Sequence, residues 1–89
     1  MRQLEIEIIN ESGLHARPAS VLVKTASRFL SHIRIIKDDI EIDGKSILGV
    51  MSLAAEQGSR IILITDGEDE DGAMDALVAL VNNGFKEGK

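Results

Sequence analysis

The chain has 89 residues, 44% of them hydrophobic and 28% charged, with a net charge of −5. That balance fits one small globular domain across residues 1–89, excludes a disordered chain, and makes nucleic acid or an anionic membrane a poor partner. There is no Cys, and the two Phe are the only aromatic rings besides the His imidazoles, so thiolate chemistry is excluded and base stacking has little to work with. No apolar run reaches membrane-spanning length and the N-terminus lacks a signal-peptide core, which makes the cytoplasm the expected location.

Leu4, Ile6 and Ile8 alternate with Glu5 and Glu7, a period of two that predicts a strand with one buried face, ended by Gly13. Apolar positions Ala19, Leu22, Val23, Ala26 and Phe29 form a helical stripe within Ala16 to Phe29. His32 to Lys37 and Ile40 to Ile42 flank Asp38-Asp39 and read as a hairpin. Asp43-Gly44 breaks the second run, and a helix is expected from Ser46, a natural N-cap, to Gln57, with Gly58 as its stop. Arg60 to Thr65 is the fourth strand. A last helix from about Asp69 to Asn83 opens on acidic residues, which suit the positive end of the helix dipole, and buries Ala73, Ala76, Leu77, Leu80 and Val81. The order β-α-β-β-α-β-α predicts an α+β domain: helices packed on one face of a mostly antiparallel sheet whose other face meets water. The pattern leaves the strand order open.

The chemically informative segment is Gly13-Leu14-His15-Ala16-Arg17-Pro18-Ala19-Ser20. A lone His at a helix start is more often a polar cap or surface residue than a reactive one. Here, however, an imidazole that is largely a neutral nucleophile near neutral pH sits where unpaired amides and the helix dipole hold anions, phosphate above all. Arg17 adds a planar cationic fork suited to phosphoryl oxygens. Pro18 has no N–H to leave unpaired in the first turn. Because the residue before Pro disfavours helical geometry, local rules make Arg17 the cap and Pro18 the first helical residue; a start at Ala16 requires tertiary context.

This octet resembles the phosphorylation-site signature of the HPr family, and Gly44-Lys45-Ser46-Ile47-Leu48-Gly49-Val50-Met51-Ser52-Leu53 resembles that family's regulatory-serine signature. Both stand at the family's usual places in a chain of its usual length, with matching element order, so the resemblance covers essentially the whole chain. It implies an open-faced β-sandwich of four antiparallel strands with three helices on one side, and no cofactor or metal. It also implies phosphorylation of His15 on Nδ1 by enzyme I, charged from phosphoenolpyruvate, and transfer to an enzyme IIA component of the sugar phosphotransferase system. Arg17 would steady the phosphoryl group and the helix-start amides near Ala16 and Arg17 would share its charge. A shallow exposed site is expected, with no substrate pocket.

Ser46 has two compatible roles: the helix cap, and, from the resemblance, a target of an HPr kinase/phosphorylase whose product meets a transcriptional regulator. The second helix is apolar nearly all round. Val50 and Leu53 are expected in the core; Ile47, Leu48 and Met51 are expected as an exposed docking patch, with all of them buried as the alternative. Arg17, Lys24 and Arg28 share one side of the first helix and form a basic face for acidic partners or a merely solvated one. His32 is expected at a strand edge, and two unclustered His make a metal site a poor reading. Ala54, where many relatives carry Gly, is expected to firm the second helix. The Asp43–Ser46 run and Ala54-Ala55 resemble nitrogen-branch relatives, whereas Met51-Ser52-Leu53 resembles sugar-type ones, so the pathway stays open. A purely regulatory paralogue would lack the active His, which is present; a self-contained enzyme would need a pocket and a second catalytic group. A monomer is expected.

Overall fold

A computed structural model describes residues 1–86. The elements are β1 (Arg2–Glu7), α1 (Ala16–Ala26), β2 (His32–Lys37), β3 (Ile40–Asp43), α2 (Ile47–Ser52), β4 (Arg60–Asp66) and α3 (Glu70–Asn82), followed by a 3-10 turn at Gly84–Lys86. The strands form one antiparallel sheet in the order β1-β4-β2-β3. The chain leaves β1 through α1 and returns at β2 two strand positions away, and β4 later fills the gap between them. Strand alternation sorts the two faces. Ile33, Ile35, Ile61 and Leu63 point to the helices and are buried against Leu22, Ala26, Leu77 and Val81, so the predicted α+β sandwich is what forms.

Local departures have tertiary causes. The β1 stripe is buried only in part: Ile8 is fully buried but Leu4 is 42% exposed, because β1 is an edge strand with a neighbour on one side only. His32 is exposed, yet β2 lies inside the sheet; the residue sits at the strand's end, opposite Asp66. Asp38 and Asp39 both have positive φ (51° and 69°), the backbone required by a two-residue type I′ hairpin, whose twist matches that of the strands. The regular part of α1 stops at Ala26 rather than Phe29. Beyond it the Arg28 and Phe29 amides donate three residues back, to Thr25 and Ala26, and the Lys45 ammonium takes the Phe29 carbonyl at 2.7 Å.

The second helix is much shorter than expected, six residues ending at Ser52. Ala54 does not firm it: at φ +51° it is in the left-handed region and ends the helix, at a cost of roughly 1–2 kcal/mol for a residue with a Cβ. That turn brings the Ala55 carbonyl to the Leu14 amide, 2.8 Å away.

Asp69 is at the N-cap position of α3 but makes no cap bond. Its carboxylate instead accepts from the Ser31 hydroxyl at 2.5 Å and from the Leu30 and Ser31 amides, both at 2.9 Å, tying the α1–β2 loop to α3. The Ser31 hydroxyl, then the Leu30 amide, hold its pKa below the usual carboxylate value. A depressed folded-state pKa contributes stability above the unfolded value and loses it as pH falls through the folded one. Asp69→Asn is therefore expected to lower Tm at pH 7, with the gap to the unsubstituted protein closing below about pH 4. Thermal melts from pH 2.5 to 7 check this; a gap independent of pH would contradict it.

Candidate functional site

His15 is the N-cap of α1. Its backbone is extended (φ −75°, ψ −175°) and its carbonyl accepts the first intrahelical bond from the Ala19 amide at 2.8 Å. Its ring makes no cap hydrogen bond and the side chain is 64% exposed. With the cap at His15, Ala16 is the first helical residue, Arg17 the second and Pro18 the third. The local preference against a helical residue before Pro is overridden. Pro18 is buried, and it occupies a position whose N–H would have no intrahelical acceptor in any case. The amides of Ala16 and Arg17 remain as the donors at this helix start.

The context that overrides the local rule lies in the loop before the helix. Gly13 has φ +68°, a backbone that favours glycine. Its N–H donates to the Asn10 carbonyl at 3.2 Å, and the Asn10 side-chain amide donates to the Gly13 carbonyl at 2.8 Å, closing the turn. A Cβ on Gly13 would stand 2.3 Å from the Ala55 carbonyl oxygen and 2.8 Å from Glu56 Cα. Buried Leu14 follows, with its amide on the Ala55 carbonyl. The loop is thus pinned to the segment after α2, and His15 emerges beside Glu56, whose Oε2 is 3.9 Å from Nε2. Glu56 is held by its own turn: its amide donates to the Ser59 hydroxyl, and the Ser59 amide donates to its carbonyl, both at 2.9 Å.

Leu14, His15, Ala16, Met51, Ala54 and Glu56 line an open depression of about 500 Å³. It gives the imidazole an apolar floor, where a shallow exposed site without a substrate pocket was expected. Met51 therefore lines the same depression as the His15 ring, and Ile47 (40% exposed), Leu48 (78%) and Met51 (40%) extend an apolar surface from it. Val50 and Leu53 are buried as expected. Arg17 and Lys24 are exposed on α1, as is Arg28 beyond its end. Arg17 has no ion-pair partner among the described residues, which leaves its guanidinium available to an incoming anion. Ser46 caps α2: its hydroxyl accepts from the Gly49 amide at 3.1 Å.

Glu56 and Ala54 were missed by the sequence reading. Neither carries a local signal, because what places them is the Leu14–Ala55 bond between distant segments. Among the described residues no group of three or more His, Cys, Asp or Glu could hold a metal ion, and no helix is long and apolar enough to cross a membrane.

A family model described as PTS HPr component phosphorylation site matches residues 2–83. The chain is 48% identical over 89 residues to a phosphocarrier protein HPr of Cupriavidus necator, covering 100% of both chains. It superposes on the crystal structure of HPr-C-His from Thermoanaerobacter tengcongensis with a TM-score of 0.96 at 46% identity, again over 100% of both chains. A second crystal structure from that organism, of an HPr dimer, matches with a TM-score of 0.78 at the same 46% identity and full coverage of both chains.

Proposed function

Because this chain belongs to the HPr family of phosphocarrier proteins, we propose that His15 is the residue that carries the phosphoryl group. The protein is a phosphocarrier of the phosphotransferase system rather than a self-contained enzyme. The observation that carries the assignment is the placement of the His15 ring: solvent-facing, at the start of α1, with two unpaired amides and the Arg17 guanidinium within the same first turn.

Phosphoryl transfer asks for positioning and charge neutralisation more than for covalent machinery. The donor is phosphorylated enzyme I and the acceptor an enzyme IIA component. As the donor's P–N bond breaks, the lone pair of His15 Nδ1 forms the new one, and the Ala16 and Arg17 amides share the charge of the phosphoryl oxygens with the helix dipole. Arg17 clamps the same oxygens. An open depression lets the group leave as readily as it arrives, since a carrier must do both. The apolar surface of Ile47, Leu48 and Met51 is where each partner docks, with Lys24 steering acidic partners toward it.

Ser46 is the regulatory site for an HPr kinase/phosphorylase. A phosphate there stays at a helix start, where it is electrostatically welcome, so α2 persists while the added charge repels partners from Ile47 and Leu48 and recruits a transcriptional regulator. The protein works in the cytoplasm, where its donors are made. It acts as a monomer. In support, β1 pairs with β4 of its own chain across six residue pairs, so no strand has to be borrowed from a second copy. Sedimentation at micromolar concentration distinguishes this from the dimer crystallised for the Thermoanaerobacter tengcongensis relative.

Incubation with enzyme I and phosphoenolpyruvate, followed by mass spectrometry under conditions that preserve phosphohistidine, tests the central assignment. The expected result is one acid-labile phosphate on His15, absent in His15→Ala and unchanged in Ser46→Ala. Phosphate acceptance surviving in His15→Ala would remove the assignment.

A further inference from the structure

We propose that Glu56 is a positioning residue for His15, which holds the ring proton on Nε2 and stabilises the protonated ring that carries the phosphoryl group. This rests on His15 being the carrier residue.

Three observations support it. First, the pairing is built by the fold. The Leu14 amide is bonded to the Ala55 carbonyl at 2.8 Å, so the next residue on each segment, His15 and Glu56, must emerge side by side. The Gly13 backbone seats directly on Glu56 Cα, and the Glu56–Ser59 turn fixes the carboxylate's own backbone. Second, the carboxylate faces one particular ring atom: Oε2 lies 3.9 Å from Nε2. A carboxylate there favours the tautomer with its hydrogen on Nε2, which leaves the lone pair on Nδ1. Third, among the described residues that line the depression, Glu56 is the only titratable one besides His15. α2 contributes the apolar Met51, the β1–α1 loop the apolar Leu14 and α1 the apolar Ala16, while the cationic Arg17 lies one residue further along α1, outside the lining.

The proton bookkeeping is simple. On acceptance, the P–N bond to the donor breaks and the Nδ1 lone pair forms a new one; the hydrogen on Nε2 stays where it is, and the ring takes on imidazolium character. On donation, the bonding pair returns to Nδ1 and a neutral imidazole leaves, still protonated on Nε2. No proton has to travel with the phosphoryl group in either direction. A neutral leaving group departs more easily than an anionic one, so a carboxylate that keeps Nε2 protonated extends efficient donation to higher pH. Glu56 approaches the ring at Nε2, the nitrogen that does not take the phosphoryl group, so its repulsion of the phosphoryl dianion is the weaker effect at the longer distance.

Both side chains are well exposed, 64% for His15 and 71% for Glu56, so water screens the interaction and its effect is modest. Glu56→Gln keeps the shape and removes the charge. In that variant, phosphorylated on His15 and freed from enzyme I, spontaneous hydrolysis at pH 7–8 is expected to slow by about threefold to tenfold. The pH profile should move to lower pH, and Glu56→Asp should lie between the two. Nitrogen-15 NMR of the unphosphorylated ring should show a smaller share of the Nε2–H tautomer in Glu56→Gln. Hydrolysis needs no partner, so a docking role for Glu56 would leave it unmoved. Superimposable hydrolysis profiles in the unsubstituted protein and Glu56→Gln, with His15 phosphorylated in both, would overturn this proposal alone. Phosphate on a residue other than His15 would overturn it together with the carrier assignment.

Discussion

Gly13→Ala is expected to destabilise the protein by about 2–4 kcal/mol and to slow phosphoryl acceptance at least about tenfold even where the variant is folded. The methyl group meets two obstacles at once. At φ +68° an L side chain is strained, by roughly 1–2 kcal/mol. The new Cβ would also stand 2.3 Å from the Ala55 carbonyl oxygen. Both the oxygen and Glu56 Cα are backbone atoms and cannot swing aside as a side-chain tip would. Relief requires the 10–14 turn to lift away from the segment after α2. That movement stretches the Leu14–Ala55 bond, a further loss of about 1 kcal/mol, and moves His15 away from Glu56 and the floor of the depression. Urea unfolding gives the stability change, and phosphorylation by enzyme I at a temperature where both proteins are folded gives the rate. A change under about 1 kcal/mol would mean that the close approach at Gly13 does not hold the loop.

Arg17→Ala is expected to lower the rate of phosphoryl transfer about 100-fold while leaving stability unchanged or slightly raised. Arg17 is exposed and has no ion-pair partner among the described residues. It occupies the second position of α1, where the dipole disfavours a cation, and the first turn of α1 contains no acidic residue. Removing it should therefore relieve roughly 0.3–1 kcal/mol of unfavourable electrostatics. A cation that costs stability at a helix start is explained by an anion that binds there. Arg17→Lys keeps the charge but loses the planar fork, and is expected to fall between the two rates. Rapid-quench measurement of transfer from phosphorylated enzyme I, beside thermal melts, separates the two effects. An unaltered transfer rate in Arg17→Ala would exclude the clamp.

The two variants sample different kinds of information. Arg17 was legible in the sequence because its chemistry is local: a guanidinium two residues from an imidazole at a predicted helix start needs no tertiary knowledge to look like an anion site. Gly13 was legible only as a strand-ending glycine; what it packs against lies in a segment about forty residues away in the chain. The same distance hid Glu56. The second helix failed for a related reason. Helical propensity carries smoothly from Ser46 to Gln57, but the Ala55 carbonyl is needed by the Leu14 amide, and the chain turns left-handed at Ala54 to deliver it. Propensity of a few tenths of a kcal/mol per residue does not outweigh that tertiary demand.

By itself, the sequence determined the order of elements, the α+β class, the burial of Val50 and Leu53, and the meeting of His15, Arg17 and a helix start. Each depends on periodicity or on neighbours in the chain, and those act over a few residues. Only the tertiary structure decided that β4 enters between β1 and β2, that α2 ends at Ser52, that α1 begins at Ala16 before a proline, and that a carboxylate stands beside the His15 ring. Those outcomes are set by which backbone groups must find partners once the sheet and helices have packed, and local patterning carries no record of that pairing.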